Sequence, residues 1–130
     1  MFNRLFARQV KYQTALDGSP DTLSDLECDK LVNQNIYDMM EECVEARQHI
    51  HSRKGWNAEK SAKPMTKEER LECATEIIDV IFFAFNALFY LRFNFIEVCG
   101  ILNSKISEND TRLDHKKFEE SEVKELASVK

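Results

Sequence analysis

The chain has 130 residues, 43% of them hydrophobic, with only three glycines and two prolines. That is enough for one domain with a core, and too few turn residues for an all-β fold. The net charge of −5 at pH 7 and the lack of a basic stripe speak against polymeric DNA or RNA as a partner, and a small anionic ligand would need a metal or a few placed Lys and Arg to neutralise it.

Residues 2–16 carry Phe2, Leu5, Phe6, Val10 and Leu16 near one face of a short helix, which DGSPD at 17–21 ends. A long helical region is expected from about 22 to 52, with room for a bend midway. Ile36, Met39, Met40, Cys43, Val44 and Ile50 form its apolar stripe. HSRKGWNAEKSAKP at 51–64 reads as a polar loop, with His49 and His51 as surface residues at the helix end. Thr66 and Glu69 have capping-box spacing and start a helix that runs to about 92. From Ile77 that helix, IIDVIFFAFNALFYL, is apolar on every side, so it is expected at the centre of a bundle or at a subunit interface. Asn94 and Glu97 can cap a fourth helix over about 95–113. The charged tail, 114–130, reads as a loose helix or disordered chain. The expected fold is all-α, a four- to five-helix bundle whose apolar central helix lies at a homodimer interface. Residues 1–113 form the domain.

The four cysteines, Cys28, Cys43, Cys73 and Cys99, include no CxxC pair. That gives little support to zinc and suits reduced core residues of an intracellular protein. MFNRLFARQVKYQ has no signal-peptide apolar run. The stretch 77–91 is short for a membrane span and contains Asp79 and Asn86. A cytoplasmic protein without a membrane partner is expected.

The chemistry is expected at two carboxylate pairs, Glu42 with Glu45 and Glu76 with Asp79, each spaced i, i+3 on a helix. Asp79 lies among Ile77, Ile78, Val80, Ile81 and Phe82. A carboxylate there is costly unless it is hydrogen-bonded, paired or metal-bound. Together the four could hold Mg²⁺ or Mn²⁺, and Glu41 could join them. Read separately, the first pair suits a solvated helix face, and Asp79 suits a salt bridge. The Glu-x-x-His pattern of di-iron bundles is absent, since Gln48 and Asp79 stand where histidines would be needed. Lys105, Asn109 and Arg112, spaced i, i+4, i+7, share one face of the fourth helix as a phosphate-binding edge or a solvated polar face.

Glu-x-x-Glu, a loop, then Glu-x-x-Asp entering an apolar helix resembles the all-α NTP pyrophosphatase superfamily. That group includes the dimeric dUTPases, the phage dCTPases and the MazG-like proteins. EERLECATEIIDVIFFAFNALFYL resembles the family's metal helix, and KISENDTR its K-x-x-x-N-x-x-R motif. RKGW, with Lys54 and Trp56, resembles its tryptophan loop, and LFARQ, with Gln9, its F-x-x-Q element. The likeness covers residues 2–113. Phe82 stands where the dUTPase and dCTPase branch usually has histidine, and RLDHKKF lacks the family's terminal aromatic motif. These departures touch the base pocket and the lid.

The resemblance implies metal-dependent hydrolysis of a nucleoside triphosphate, dUTP or dCTP, to the monophosphate and pyrophosphate. Glu42, Glu45, Glu76 and Asp79 would be the metal ligands and catalytic residues. Lys54, Lys105, Asn109 and Arg112 would bind phosphates. Gln9, Asn86 and Phe82 or Phe83 would hold the base. A non-catalytic nucleotide sensor and a helical protein-interaction module of the same fold are the alternatives.

Overall fold

The computed structural model describes residues 1–50 and 63–128, and among these every regular element is an α-helix. They are α1 (Phe2–Asp17), α2 (Asp25–Gln48), α3 (Lys67–Tyr90) and α4 (Phe95–Ser128). The chain divides into two compact units, Met1–Phe93 and Asn94–Lys130.

In the first unit, α3 packs chiefly on α2 and also on α1. Local chemistry sets the helix starts. Ser24 and Glu27 close a capping box at the head of α2, and Thr66 and Glu69 close one at the head of α3. The Ser24 box starts α2 at Asp25, later than the apolar pattern suggested, and the helix then runs uninterrupted to Gln48. Between α1 and α2 the chain turns at Gly18, whose φ of 93° is left-handed, a conformation that favours glycine. The Tyr90 hydroxyl donates to the Gly18 carbonyl at 3.0 Å, and burial pushes this phenol's pKa upward.

α2 and α3 run antiparallel, and three contacts give their register. His49 Nδ1 lies 3.3 Å from Glu72 Oε2, Cys73 Sγ donates to the Ala46 carbonyl at 3.4 Å, and Asn86 Nδ2 donates to Asn35 Oδ1 at 3.1 Å. Descending α2 is therefore ascending α3. α1 lies against α3 through Phe6 and Phe85, edge to face with centroids 5.3 Å apart.

The face of α2 that meets α3 is not the apolar stripe. Cys28, Asn35 and Ala46 are buried and Glu42 is half-buried, while Ile36, Met40, Cys43 and Val44 are exposed. Nor is α3 enclosed all round. Cys73, Phe85, Asn86, Ala87 and Tyr90 are buried, but Leu71, Ile77, Ile78, Ile81 and Phe82 face outward. Among the described residues, one side of this helix is buried. Beyond Tyr90 the backbone turns at Arg92, whose φ of 69° is also left-handed. Its guanidinium reaches Asp25 Oδ1 at 2.8 Å and the Leu23 carbonyl at 3.3 Å, tying the end of α3 to the start of α2.

The second unit is α4. Asn94 and Glu97 exchange the expected capping hydrogen bonds, at 2.9 and 3.2 Å. The helix does not stop near residue 113. It continues through the charged segment to Ser128, and every described residue from Gly100 onward is exposed. The segment is rich in Glu, Lys and Ser with no Pro or Gly after Gly100, so no helix breaker interrupts it.

Candidate metal centre and amide chain

Glu42, Glu45 and Glu76 each place a carboxylate oxygen so that the three lie within 4.8 Å of one another. The antiparallel register produces this meeting, because Glu42 and Glu45 descend α2 between the Ala46–Cys73 and Asn35–Asn86 contacts, where Glu76 stands on α3. Glu42 and Glu76 are half-buried and Glu45 is exposed. The Glu42 carboxyl is raised from 4.5 to about 7. A hydrogen bond with Glu76 contributes most, then burial, then repulsion from Glu45, Glu76 and Asp79. Asp79, one turn past Glu76 and half-buried, thus belongs to the same electrostatic cluster. Glu42 Oε2 is buried with no hydrogen-bond partner among the described residues. Glu41 is exposed.

The donor set is all carboxylate, which fits a hard divalent cation such as Mg²⁺ or Mn²⁺ better than zinc. Below about pH 7 a proton on Glu42 relieves the crowding of the carboxylates. A cation would replace that proton and give the unpartnered Glu42 oxygen a ligand role.

A chain of amides lies two turns, about 10 Å, from the nearest acidic residue on each helix, Glu42 on α2 and Asp79 on α3. Gln9 Nε2 on α1 donates to Asn86 Oδ1 at 2.9 Å, and Asn86 Nδ2 donates to Asn35 Oδ1. Asn35 Nδ2 in turn donates to the Leu31 carbonyl at 2.8 Å. Asn35 and Asn86 are each 5% exposed, and Gln9 is half-buried. Gln9 and Asn86 therefore meet. Asn35 joins them although its sequence context, NQNIYD, suggests a surface position. Its spacing could have revealed it: Cys28, Asn35, Glu42 and His49 recur every seven residues, two helical turns, along the inner face of α2. Phe82, one turn before Asn86, keeps 37% of its surface exposed.

The proposed phosphate ligands are distributed differently. Lys105, Asn109 and Arg112 are exposed on α4, in the second unit. Lys105 Nζ and Arg112 Nη2 both approach Glu108 Oε2, at 3.2 and 3.9 Å. Lys54, Trp56 and His51 lie outside the described residues. His49 is half-buried against Glu72, and not at the surface as its place at the helix end suggested. All four cysteines are free: Cys28 and Cys73 are buried, Cys99 is half-buried, and Cys43, expected in the core, is exposed. Compared with family models, with curated proteins and with solved structures, the chain matches none.

Proposed function

We propose that the chain is a metal-dependent nucleoside triphosphate pyrophosphohydrolase, acting on dUTP or dCTP. The observation that carries the reading is the meeting of Glu42, Glu45 and Glu76 from two helices, with Asp79 beside them and a buried Glu42 oxygen without a partner. The amide chain supports it, because it offers paired donors and acceptors at about the distance that separates a base from its phosphates, two helical turns away.

Mg²⁺ held by Glu42, Glu45, Glu76 and Asp79 would neutralise the triphosphate and lower the pKa of a bound water. One glutamate of the first pair orients the attacking water and takes its proton. The new bond forms at the α-phosphorus, the α–β bridging bond breaks, and pyrophosphate leaves. Lys54, Lys105, Asn109 and Arg112 are the proposed phosphate contacts, and Gln9, Asn86 and Phe82 the base contacts. The same reading carries a cytoplasmic location and a homodimer, whose second copy would cover the outward apolar face of α3.

The test is incubation of the pure protein with Mg²⁺ or Mn²⁺ and each common deoxy- and ribonucleoside triphosphate, with separation of the products. Monophosphate and pyrophosphate from one or two substrates are expected. No product from any of them would overturn the reading. A nucleotide sensor or a helical interaction module would then remain, to be separated by a melt with nucleotide; the exposed Leu102, Ile106, Leu113 and Phe118 of α4 support the module.

A further inference from the structure

We propose that Asn35 sets which pyrimidine the Gln9–Asn86 pair accepts, by fixing the direction in which both amides donate. The inference rests on the nucleotide reading above and deepens it.

A backbone carbonyl can only accept a hydrogen bond. Asn35 therefore turns its Nδ2 toward the Leu31 carbonyl, 2.8 Å away, and presents Oδ1 to Asn86. Asn86 must then give its Nδ2 to Asn35 and turn Oδ1 toward Gln9. Gln9 must in turn donate from Nε2. One carbonyl on α2 thus dictates the orientation of three side chains on three helices. A primary amide without such an anchor can exchange its oxygen and nitrogen by rotation and present either order. Here, turning Asn86 alone would bring two oxygens together at Asn35 and two amino groups together at Gln9. Both Asn35 and Asn86 are buried, where a mismatched amide is costly.

Gln9 ends the chain in a half-buried position. After donating to Asn86 it keeps its carbonyl oxygen and one N–H. Uracil presents a carbonyl oxygen beside a ring N–H, and cytosine presents an amino group beside a bare ring nitrogen. A fixed amide edge matches one order and opposes the other, whereas a free one accommodates both. Discrimination by hydrogen-bonding pattern is strong when the opposing groups are held. The partly exposed ring of Phe82, one turn from Asn86, offers a flat surface for the same base. Asn35 contacts neither base nor metal in this arrangement and acts through Asn86 as a positioning residue.

The test uses the full chain and Asn35→Asp and Asn35→Leu. Aspartate keeps the shape and the acceptor for Asn86 but cannot donate to Leu31, and leucine removes both bonds. The readout is the ratio of kcat/KM for dUTP and dCTP. A second readout is the ratio of Kd for their α,β-imido analogues with Mg²⁺, by calorimetry. Helix content is checked by circular dichroism. The parent is expected to favour one pyrimidine at least about tenfold, Asn35→Leu to lose that preference, and Asn35→Asp, which can only accept from Asn86 and so fixes it in the same direction, to keep it. A purely structural role would lower stability and leave both ratios in place. A folded Asn35→Leu with the parental ratio, or an equal loss of preference in Asn35→Asp and Asn35→Leu, overturns the inference and leaves the nucleotide reading standing, as does a parent that hydrolyses both pyrimidines equally. A parent that neither binds nor hydrolyses a nucleotide overturns the reading and the inference with it. If Asn35→Leu unfolds, Asn35→Ala poses the same question, because alanine also leaves Asn86 without the anchored acceptor. A retained preference there overturns the inference.

Discussion

A proton and the proposed metal would compete for Glu42. Its carboxyl is raised from 4.5 to about 7, so between those values the folded chain holds a proton that the unfolded chain has released. Stability falls with rising pH wherever the folded state binds more protons. In EDTA, the melting temperature contributed by this group should fall from about pH 5 to pH 7 and then level off. Glu42→Gln should flatten that slope. Mg²⁺ works in the opposite sense, since its binding expels the proton. The gain in melting temperature from Mg²⁺ should therefore grow as pH rises through about 7, with protons released to the buffer. Identical melts in Mg²⁺ and EDTA at pH 8 would remove the metal from the site. Glu76→Ala or Asp79→Ala should abolish turnover while circular dichroism shows the helices still formed. Variants that hydrolyse nucleotide at the parental rate would exclude those ligands.

The helices show which kinds of sequence signal could be read. Capping residues were legible, because Thr66 with Glu69 and Asn94 with Glu97 act within one turn and depend on little else. Thr66→Ala should lower the unfolding free energy by about 1 kcal/mol, measured by urea titration. An unchanged midpoint would mean that α3 does not depend on this cap. The paired carboxylates were legible too, since their i, i+3 spacing and the apolar setting of Asp79 both stand in the sequence. The inner face of α2 was not. Apolar residues ordinarily point to the core, yet here Ile36, Met40 and Val44 are exposed while Asn35 is buried and Glu42 half-buried. Buried polar groups are tolerated when partners come from another helix, and those partners are 51 residues away for Asn35 and 34 for Glu42, beyond any local pattern. The end of α4 falls later than residue 113 for a related reason: a charged segment with few apolar residues suits a loose helix or disordered chain alike, but nothing in it breaks a helix.

For the whole molecule, the outward face of α3 is the feature that one chain leaves unfinished. Leu71, Ile77, Ile78 and Ile81 are exposed there. Among the described residues, α3 is the one helix long and apolar enough to cross a membrane by length and composition. With Glu76 and Asp79 on the same helix, we favour a second copy of the chain as the cover. Sedimentation should give a dimer mass in detergent-free buffer, and Ile78→Lys with Ile81→Lys should yield monomers. A monomeric parent would refute the dimer, and a parent recovered only with lipid or detergent would favour the membrane.

The left-handed turn at Arg92 decides where the first unit loosens. Residues other than glycine seldom enter that conformation, and here the arginine's own guanidinium helps hold it there. Of its three anchors, Asp25, the Leu23 carbonyl and Cys28 Sγ, Asp25 is largely open to solvent, so salt weakens that tie while leaving the buried amides alone. Local opening should begin there. Deuterium should enter the backbone amides of Leu91, Arg92 and Phe93 sooner than those around Asn86. Added salt or Asp25→Ala should widen the gap, whereas uniform exchange along α3 would mean that the helix opens as one piece.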